Sequence, residues 1–565
     1  MSSPVVSTLL ADSPLKRSGF SFPLPEEMSL GVNQLQIDWW KSEYRQAVIG
    51  LRTSQAELSA SRRFHQGSLE REKQLQQRIE ELEAKVRQRE KELFGRRSEQ
   101  SNSNASPVKN ESGKESSSPK KRRGQQKGKP GPKRRDHSHL PQKEEFVSLA
   151  EDQQCCLTCG LAFDELSCTE DSEELEIEVK AHVRKIRRKS YKKTCHCPAT
   201  PTIITAPPVA KLIPKSKLGI SIWVELILTK YLYYQPTYRF IRQWEAQKLF
   251  LSQGTITGGL EKIAPLMTPL YEAMIERQIQ DSHWHADETR WKVFEKVEGK
   301  VGVNWYLWVV HSTSAVIYIL DPFRSARVIT EHFGDEATGI LSVDRYSAYK
   351  AMAKALHIVL AFCWAHVRRD FLKVASSWPQ YENWAMKWVE AIGNLYHLNN
   401  IRIALKPKSI EYKTTDFQLR QALKEMKRNF QRELLKPETL PSPQEAVLKS
   451  LENHWQGLIL FIKNPHVPMD NNTAERDIRG PVVGRKNYTG SGSVWSGVLA
   501  AMAFSINQTL LLAQINPHPW WQHYFTACAK AGGEVPENYR DFLPWNLTGE
   551  QKKNWTIKQD LINSS

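Results

Sequence analysis

The order of extended and helical patterns between residues 282 and 362 most narrowly limits what this chain can fold into. Short runs of β-branched and aromatic residues predict strands, and longer amphipathic stretches predict helices. In chain order, the pattern predicts strands at 282–293, 305–310 and 315–320, a helix at 325–333, a strand at 339–343, a helix at 346–356 and a strand at 358–362. The segment therefore predicts an α/β domain with a mixed sheet.

Two acids fall where one particular α/β core carries catalytic carboxylates. A ribonuclease-H-like core has this element order: three strands, a helix, a strand, a helix and a strand. Its acids lie in the middle of the first strand and at the end of the fourth. Asp287 and Asp344 occupy those places, 57 residues apart. Glu288 is expected to point to the opposite face of its strand, and a solvated charge is its simplest explanation.

A helical insertion separates these strands from a third acid. Asp470 or Asn471 can cap the helix that follows the insertion, and Glu475 would project from that helix. Glu475 can join the two aspartates if the insertion packs to one side and returns the chain. Three apolar stripes predict the helices of the insertion: Trp384, Trp388, Ile392 and Leu395; Leu419, Leu423, Met426 and Phe430; Leu448, Leu451, Trp455, Leu458 and Ile462.

Three converging carboxylates predict a site for hard divalent cations. The acids would repel one another unless cations lie between them, and oxygen ligands suit Mg²⁺ or Mn²⁺. Two such ions, roughly 3.5–4 Å apart, can hold both the attacking and the leaving oxygen of a phosphodiester. We expect Asp287, Asp344 and Glu475 to be both the catalytic residues and the ligands of two magnesium ions.

Four cations lie near the predicted acid helix, namely Arg476, Arg479, Arg485 and Lys486. They could hold the scissile phosphate or the flanking DNA backbone. Ordinary ion pairing is the alternative, and Asp477 is an obvious local partner. We expect Arg485 and Lys486 to contact DNA.

The charge of the chain also points to a polyanionic partner. The formal net charge is +17 and the pI is about 9.3, and Lys and Arg that neutralise phosphates drive nucleic-acid binding by releasing counterions. A basic surface that serves only solubility is the alternative. No apolar run reaches membrane-spanning length without interruption, so no membrane is expected. The eight cysteines without a visible secretory signal predict a reducing, cytoplasmic location.

A heptad stripe precedes these domains. Leu75, Ile79, Leu82 and Val86 step by four, three and four residues, and Leu93 continues the same line. The stripe predicts a short dimerising coiled coil, or a single helix that lies on its own domain.

A basic linker follows at residues 100–145. Its segment 120–135 contains nine basic and no acidic residues, which predicts either a DNA-binding arm or a solvated tether. The residues expected to contact DNA in this arm are Arg122, Arg123, Lys129, Arg134 and Arg135.

Two pairs of cysteines come next. Cys156, Cys159, Cys195 and Cys197 could provide four thiolates for one structural Zn²⁺. Cys155, Cys168, His182 or His196 could replace one of these ligands. Between the pairs, polar and apolar residues alternate at 174–179, which predicts a strand. Seven cations in 184–193 predict a DNA-reading ribbon or a charged surface. The ribbon residues are Arg184, Arg187 and Arg188.

Several motifs in this order resemble the insertion-sequence-sixty-six transposase family of bacterial mobile elements. The motifs are LFGRRSEQ at 93–100, the cysteine cluster, HADETRW at 285–291, LSVDRYSAY at 341–349, CWAHVRRDF at 363–371 and DNNTAERDIRGPVVGRKNY at 470–488. The resemblance implies a catalytic triad of Asp287, Asp344 and Glu475, a zinc-binding domain that recognises the ends of the element, and a coiled coil for multimers. It also implies small accessory proteins encoded by the same element. The Cys195-x-Cys197 spacing is narrower than in many relatives, and the role of Cys363 and His366 stays open.

The predicted fold is therefore a multidomain α/β chain, in which a coiled coil and a small zinc-binding domain precede a ribonuclease-H-like mixed-sheet core with a helical insertion. The expected divisions are an N-terminal segment, helical in part, at 1–60, a coiled coil at 61–99, a basic disordered linker at 100–145, a zinc domain at 146–215, a helical domain at 216–280, the first part of the core at 281–366, the helical insertion at 367–465, the acid helix of the core at 466–515 and a C-terminal helical tail at 516–565. The predicted function is transposition, by cleavage of double-stranded DNA at element ends and strand transfer into target DNA. A catalytically silent, transposase-derived DNA-binding protein and a nuclease that only cuts are the alternatives.

Overall fold

The computed structural model describes residues 34–94, 180–192, 203–335, 337–435 and 440–557. The strand predicted at 174–179 lies outside the described residues. The same holds for the expected zinc ligands and for the expected DNA contacts of the linker, namely Cys156, Cys159, Cys195, Cys197, Arg122, Arg123, Lys129, Arg134 and Arg135.

The chain divides into two compact units, and the first consists of residues 1–97 and 372–387. Helix α1 runs from Gln34 to Phe94 without a break at the division expected near residue 60. Ala84 is buried, and the guanidinium of Arg87 donates a hydrogen bond to the carbonyl of Ser377 at 2.7 Å. The predicted heptad residues are exposed along this helix: Leu75, Ile79, Leu82 and Val86.

The second unit begins, among the described residues, with a short hairpin and four helices. The hairpin pairs β1 (Ser190–Lys192) with β2 (Ile203–Thr205) in antiparallel register. The helices confirm the helical pattern of residues 220–270 and are α2 (Ile220–Tyr231), α3 (Thr237–Glu245), α4 (Gln253–Ile263) and α5 (Thr268–Gln278).

A five-stranded mixed sheet forms the centre of this unit. Its elements are β3 (His283–Lys292), β4 (Asn304–His311), β5 (Val316–Asp321), α6 (Ala326–Phe333), β6 (Gly339–Val343), α7 (Ser347–Ala355) and β7 (Ile358–Phe362). The strand order is β5-β4-β3-β6-β7; β3, β4 and β5 pair antiparallel, whereas β3, β6 and β7 pair parallel. Every predicted element between residues 282 and 362 is confirmed, with bounds within one residue of those expected.

Successive side chains on β3 and β4 enter two different hydrophobic cores, because neighbouring residues on a strand point to opposite faces. Trp291 and Val309 pack into the larger core, together with residues of the C-terminal helices. Trp284 and Trp308 pack into the smaller core, against residues of α6 and α7. The same alternation decides which acids of β3 face which side.

Most of the remaining described residues form helices. They are α8 (Trp364–Ser377), α9 (Glu382–Ala404), α10 (Ile410–Leu434), α11 (Ser442–Leu458), α12 (Asn472–Tyr488), α13 (Val494–Leu512), α14 (Pro517–Lys530) and α15 (Gly549–Trp555). The predicted stripes of α10 and α11 are buried, which confirms a helical insertion after the fifth strand.

Helix α13 has the length and composition to cross a membrane, contrary to the expectation from its sequence, but 67% of its apolar window is buried inside the protein. Its Ser505 hydroxyl accepts the N–H of Tyr318 at 2.8 Å, and its Thr509 hydroxyl accepts the N–H of Val316 at 3.0 Å. The helix thus satisfies backbone groups along the free edge of β5, which an uncovered edge strand would leave unpaired.

Candidate active site

Asp287 lies on the central strand of the sheet, and Asp344 lies at the end of the adjacent parallel strand. Asp287 is in the middle of β3, and Asp344 directly follows β6. His285 is the partner of Ser342 across the two strands, and the same register two residues further on sets Asp287 opposite Asp344. Neighbouring strands are about 4.8 Å apart, so the sheet itself brings these two carboxylates together.

Short backbone hydrogen bonds orient both aspartates. The N–H of Glu288 donates to Oδ1 of Asp287, and the N–H of Tyr346 donates to Oδ1 of Asp344, both at 2.8 Å. In each carboxylate, the backbone thereby engages one oxygen.

Glu475 reaches this site because the insertion returns the chain to the end of β7. The N–H of Trp364 donates to the carbonyl of Met469 at 2.9 Å, which joins the two ends of the insertion. Helix α12 then begins at Asn472, whose N–H is accepted by the Asp470 carboxylate at 3.1 Å. Glu475 lies in the first turn of that helix.

Asn471 ties the start of α12 to β3. Its side-chain amide donates to the carbonyl of Ala286 at 2.7 Å, and its Oδ1 lies 2.9 Å from Nδ1 of His285. Its own N–H donates to Sγ of Cys363 at 3.2 Å. The sequence indicated Asn471 only as a possible cap; in the structure its side chain makes no cap hydrogen bond but connects the acid helix to the strand of Asp287.

The three acids interact electrostatically. Burial, together with the charges of Glu288, Asp344 and Glu475, raises the pKa of Asp287 to about 7, against one opposing backbone hydrogen bond. Oε1 of Glu475 is buried and has no hydrogen-bond partner. A buried, partnerless carboxylate oxygen beside two aspartates is a set of hard oxygen donors that suits divalent cations, so these residues fit the predicted magnesium site.

A histidine and an arginine of α8 lie close to Glu475. Nδ1 of His366 is 3.7 Å from Oε1 of Glu475, and the guanidinium of Arg369 is 3.8 Å from Oε2. Cys363, directly before α8, completes a group with His366 and Glu475 whose potential ligand atoms all lie within 4.8 Å of one another.

Comparison with known proteins identifies the family. A family model described as "Transposase IS66 family" matches residues 215–498, about half of the chain, and this span includes Asp287, Asp344 and Glu475. The chain belongs to this transposase family. The resemblance inferred from the sequence motifs is thereby confirmed.

Curated relatives of this transposase occur in Sinorhizobium fredii (strain NBRC 101917 / NGR234). The uncharacterized protein y4jD is 25% identical over 430 residues, which cover 73% of the transposase and 81% of y4jD. The uncharacterized protein y4hP is 23% identical over 398 residues, which cover 66% of the transposase and 70% of y4hP. Both similarities extend over most of each chain.

The expectation that Glu288 of the transposase is a solvated charge is wrong. Its side chain is 2% exposed and points into the smaller core, away from Asp287. The hydroxyl of Tyr349 donates to its carboxylate at 2.5 Å, and Arg324 forms an ion pair with it. Glu288 is therefore a buried structural acid of β3.

The expected DNA contacts near the acid helix differ in exposure. Arg485 donates to the hydroxyl of Thr289 at 3.0 Å and to the carbonyl of Arg290, so part of its donor capacity is used by β3. Lys486 is exposed. Asp477, the expected partner of the nearby arginines, instead lies 2.7 Å from Nδ1 of His311.

The basic ribbon lies beside the β1–β2 hairpin. Arg184, Arg187 and Arg188 are all exposed, and the guanidinium of Arg188 donates to the carbonyl of Ala206 at 2.8 Å.

A proline inside α12 creates a contact that sequence patterns did not indicate. Pro481 has no N–H for the carbonyl of Asp477, four residues earlier. The hydroxyl of Tyr318 donates to that carbonyl at 2.8 Å in its place. Helix α12 is therefore attached to the sheet at two points, through Asn471 just before the helix and through Asp477 within it.

Proposed function

We propose that this transposase is a DDE enzyme that binds the ends of an insertion sequence, cleaves the DNA strands and transfers them into target DNA. The observation that carries the proposal is the convergence of Asp287, Asp344 and Glu475 from β3, the end of β6 and the first turn of α12. Burial is the main cause of the raised pKa of Asp287, and the negative charges of Glu288, Asp344 and Glu475 add to it. Such mutual repulsion is expected where cations are needed to complete a site.

The sheet order supports a ribonuclease-H-like core for this activity. Three antiparallel strands are followed by two parallel ones, with β3 at the centre of the order β5-β4-β3-β6-β7. The acids then come from the central strand, its parallel neighbour and a helix that follows the insertion. Two carboxylates on the sheet cannot rearrange independently of it, which suits a site that must hold ions at fixed separation.

The proposed chemistry assigns a separate task to each group of residues. Asp287, Asp344 and Glu475 provide the oxygen ligands for two Mg²⁺ or Mn²⁺ ions, which when bound stabilise the attacking and leaving oxygens of an in-line displacement. Arg485 and Lys486 would neutralise the phosphates that flank the scissile bond. Water is the first nucleophile and releases a 3′-hydroxyl, which then attacks the target strand.

Other parts of the chain would bring the DNA to this site. The expected zinc domain with Cys156, Cys159, Cys195 and Cys197 would recognise the element ends. The basic linker and the ribbon of Arg184, Arg187 and Arg188 would add phosphate contacts. The heptad stripe of α1 would pair two protomers, and small proteins of the same element would assist. We place this activity in the bacterial cytoplasm, at the nucleoid.

The catalytically silent alternative has less support. A core kept only for DNA binding would tolerate the loss of an acid, but all three are present and lie on the expected elements. A nuclease that cuts without joining is distinguished only by its products.

The test is an assay of cleavage and joining on labelled DNA that carries the inverted repeats flanking the gene. With Mg²⁺, the purified protein should release 3′-hydroxyl ends and then join them to an unlabelled target plasmid. Cleavage without any joined product would favour the nuclease. End binding without cleavage, in either Mg²⁺ or Mn²⁺, would favour the silent DNA-binding protein.

A further inference from the structure

Cys363, His366 and Glu475 form a compact group beside the magnesium site. Cys363 precedes α8, His366 lies in its first turn, and Glu475 lies in the first turn of α12. Sγ of Cys363, a ring nitrogen of His366 and a carboxylate oxygen of Glu475 all lie within 4.8 Å of one another. Sulfur, imidazole and carboxylate together are a mixed ligand set that suits zinc, whereas magnesium prefers oxygen ligands alone.

The spacing of this group matches a tetrahedral metal. Zinc bonds of about 2.0–2.2 Å to nitrogen and oxygen place these two ligand atoms of a tetrahedron about 3.3–3.5 Å apart. Nδ1 of His366 and Oε1 of Glu475 are separated by 3.7 Å. That distance is too long for a hydrogen bond, and it is close to the edge of a tetrahedral site.

The hydrogen bonding of the group also indicates an additional partner. Nδ1 of His366 and Oε1 of Glu475 are both buried and have no hydrogen-bond partner. Buried polar atoms are nearly always paired with a hydrogen-bond or metal partner. Two neighbouring buried atoms without a partner therefore indicate that a ligand binds between them. The third member, Sγ of Cys363, accepts the N–H of Asn471 at 3.2 Å, a contact that would also stabilise a metal-bound thiolate.

We propose that Cys363, His366 and Glu475 bind one thiophilic divalent cation of the Zn²⁺ type, at a position separate from the magnesium pair. Three protein ligands leave the fourth tetrahedral position for water or for a DNA oxygen. This site is also separate from the zinc expected at the N-terminal cysteine pairs.

Glu475 belongs to both sites, and this has a regulatory consequence that rests on the proposed function. A zinc ion held by Cys363 and His366 would take Glu475 away from the magnesium pair. Zinc should therefore inhibit Mg²⁺-dependent cleavage, and the inhibition should require the cysteine.

Co²⁺ is the probe for the site, because a cobalt–thiolate bond gives a near-ultraviolet charge-transfer band that oxygen ligands do not give. The metal-free full chain is titrated with Co²⁺, so that zinc does not occupy the site beforehand. We expect a thiolate band in the wild-type protein. Cys363→Ala should remove the part of the band that comes from this site and leave only that of the N-terminal cysteine pairs, and Glu475→Gln or His366→Ala should weaken cobalt binding at this site at least about 100-fold, since even indirect ligand partners contribute about 10–100-fold.

Two control variants distinguish this site from other cysteines and from the magnesium site. Cys528→Ala removes the other buried free cysteine among the described residues, in α14, and should leave the band unchanged. Asp344→Asn removes a proposed magnesium ligand that is not part of the zinc group, and it should also leave the band unchanged. If Cys363→Ala does not fold, the His366→Ala and Glu475→Gln titrations carry the test.

A thiolate band that is absent from the wild type, or equally strong in Cys363→Ala or in both ligand variants, would overturn the site. Loss of cleavage in Asp344→Asn with an intact band would leave both proposals standing. A normal band in a protein that never cleaves DNA would reject the proposed function alone. Zinc inhibition that persists unchanged in folded Cys363→Ala protein would reject the regulatory consequence.

Discussion

The Asp287 carboxyl is placed where its negative charge is unfavourable in the absence of metal. Burial, followed by the charges of Glu288, Asp344 and Glu475, raises its pKa from 3.8 to about 7. The folded, metal-free protein therefore binds one more proton than the unfolded chain between about pH 4 and pH 7. Since the folded state holds that extra proton, stability falls as the pH rises through this window and stays low above it.

Asp287→Asn should for this reason stabilise the metal-free protein at pH 8. One pKa unit corresponds to about 1.4 kcal/mol, so a shift of roughly three units sets an upper bound near 4 kcal/mol on the gain in free energy of unfolding. At pH 4 the variant and the wild type should be equally stable. Urea unfolding with a chelator, at both pH values, measures the difference. Parallel loss of stability in both proteins between pH 4 and pH 7 would contradict the raised pKa.

Asp287, Asp344 and Glu475 should also fail together as a catalytic unit. Asp287→Asn, Asp344→Asn and Glu475→Gln should each lower both cleavage and joining by at least about 10³-fold, and double variants should lose little more, because residues that act as a unit are not additive. Binding to element ends should persist in a mobility-shift assay. Strong Mg²⁺-dependent cleavage by any of the three variants would reject its assignment.

Glu288→Gln is the matched control for that experiment. Glu288→Ala is unsuitable, because it would leave the buried hydroxyl of Tyr349 without its acceptor and Arg324 without its ion-pair partner. The amide keeps the size and a hydrogen-bonding oxygen, so a modest loss of stability with retained cleavage is expected. Equal loss of cleavage in Glu288→Gln and Asp287→Asn would show that the first acid has been misassigned.

Among the elements, the strands of the sheet were predictable because their signals are local. Alternation of polar and apolar residues within β3, and the apolar runs of β6 and β7, depend on residues close in sequence. The contacts that complete the site are not local. Asn471 bonds to Ala286 across 185 residues, and His311 pairs with Asp477 across 166 residues. No periodic pattern encodes such a pair. The predicted acid helix and the family resemblance both indicated Glu475, but its approach to the aspartates depended on how the insertion returns the chain.

Helix α1 was underestimated for a different reason. The sequence predicted a coiled coil at 61–99 and a partly helical segment at 1–60, whereas one continuous helix begins at Gln34. Before residue 75, exposed apolar residues such as Tyr44, Leu51 and Leu58 are separated by many polar ones, which weakens the heptad signal. Good helix formers such as Glu, Gln, Arg and Ala are frequent in the helix and can sustain it without a continuous apolar stripe.

The exposed stripe of α1 predicts that this helix pairs with another copy. Leu75, Ile79, Leu82 and Val86 are each about half exposed or more, and burial of such side chains is the main source of coiled-coil stability. Leu82→Asp should shift the mass measured by light scattering toward the monomer. Gln77→Asp adds the same charge on a face of the helix outside the stripe and should leave the mass unchanged. A wild-type protein that is already monomeric, or an unchanged mass in Leu82→Asp, would contradict the pairing.

At the scale of the whole molecule, the excess of positive charge can act in two ways. A general field from the net charge of +17 would attract DNA to the entire surface. Direct phosphate contacts from the basic linker would instead depend on particular residues. The two cases differ in their salt dependence, because each neutralised phosphate releases counterions and adds roughly 0.9 to the slope of log affinity against log salt.

The general field and the direct phosphate contacts are distinguished by replacing Arg122, Arg123, Arg134 and Arg135 with Ala. If the linker binds phosphates, the slope on random duplex DNA should fall by up to about 3.6, which is four contacts at roughly 0.9 each. The control removes the same charge from exposed positions of α1, as Arg62, Arg63, Arg71 and Lys73→Ala. Fluorescence anisotropy over a range of salt concentrations gives both slopes. Direct contact predicts a fall only in the linker variant, whereas equal changes in both variants mean that the linker acts through net charge alone and serves as a tether.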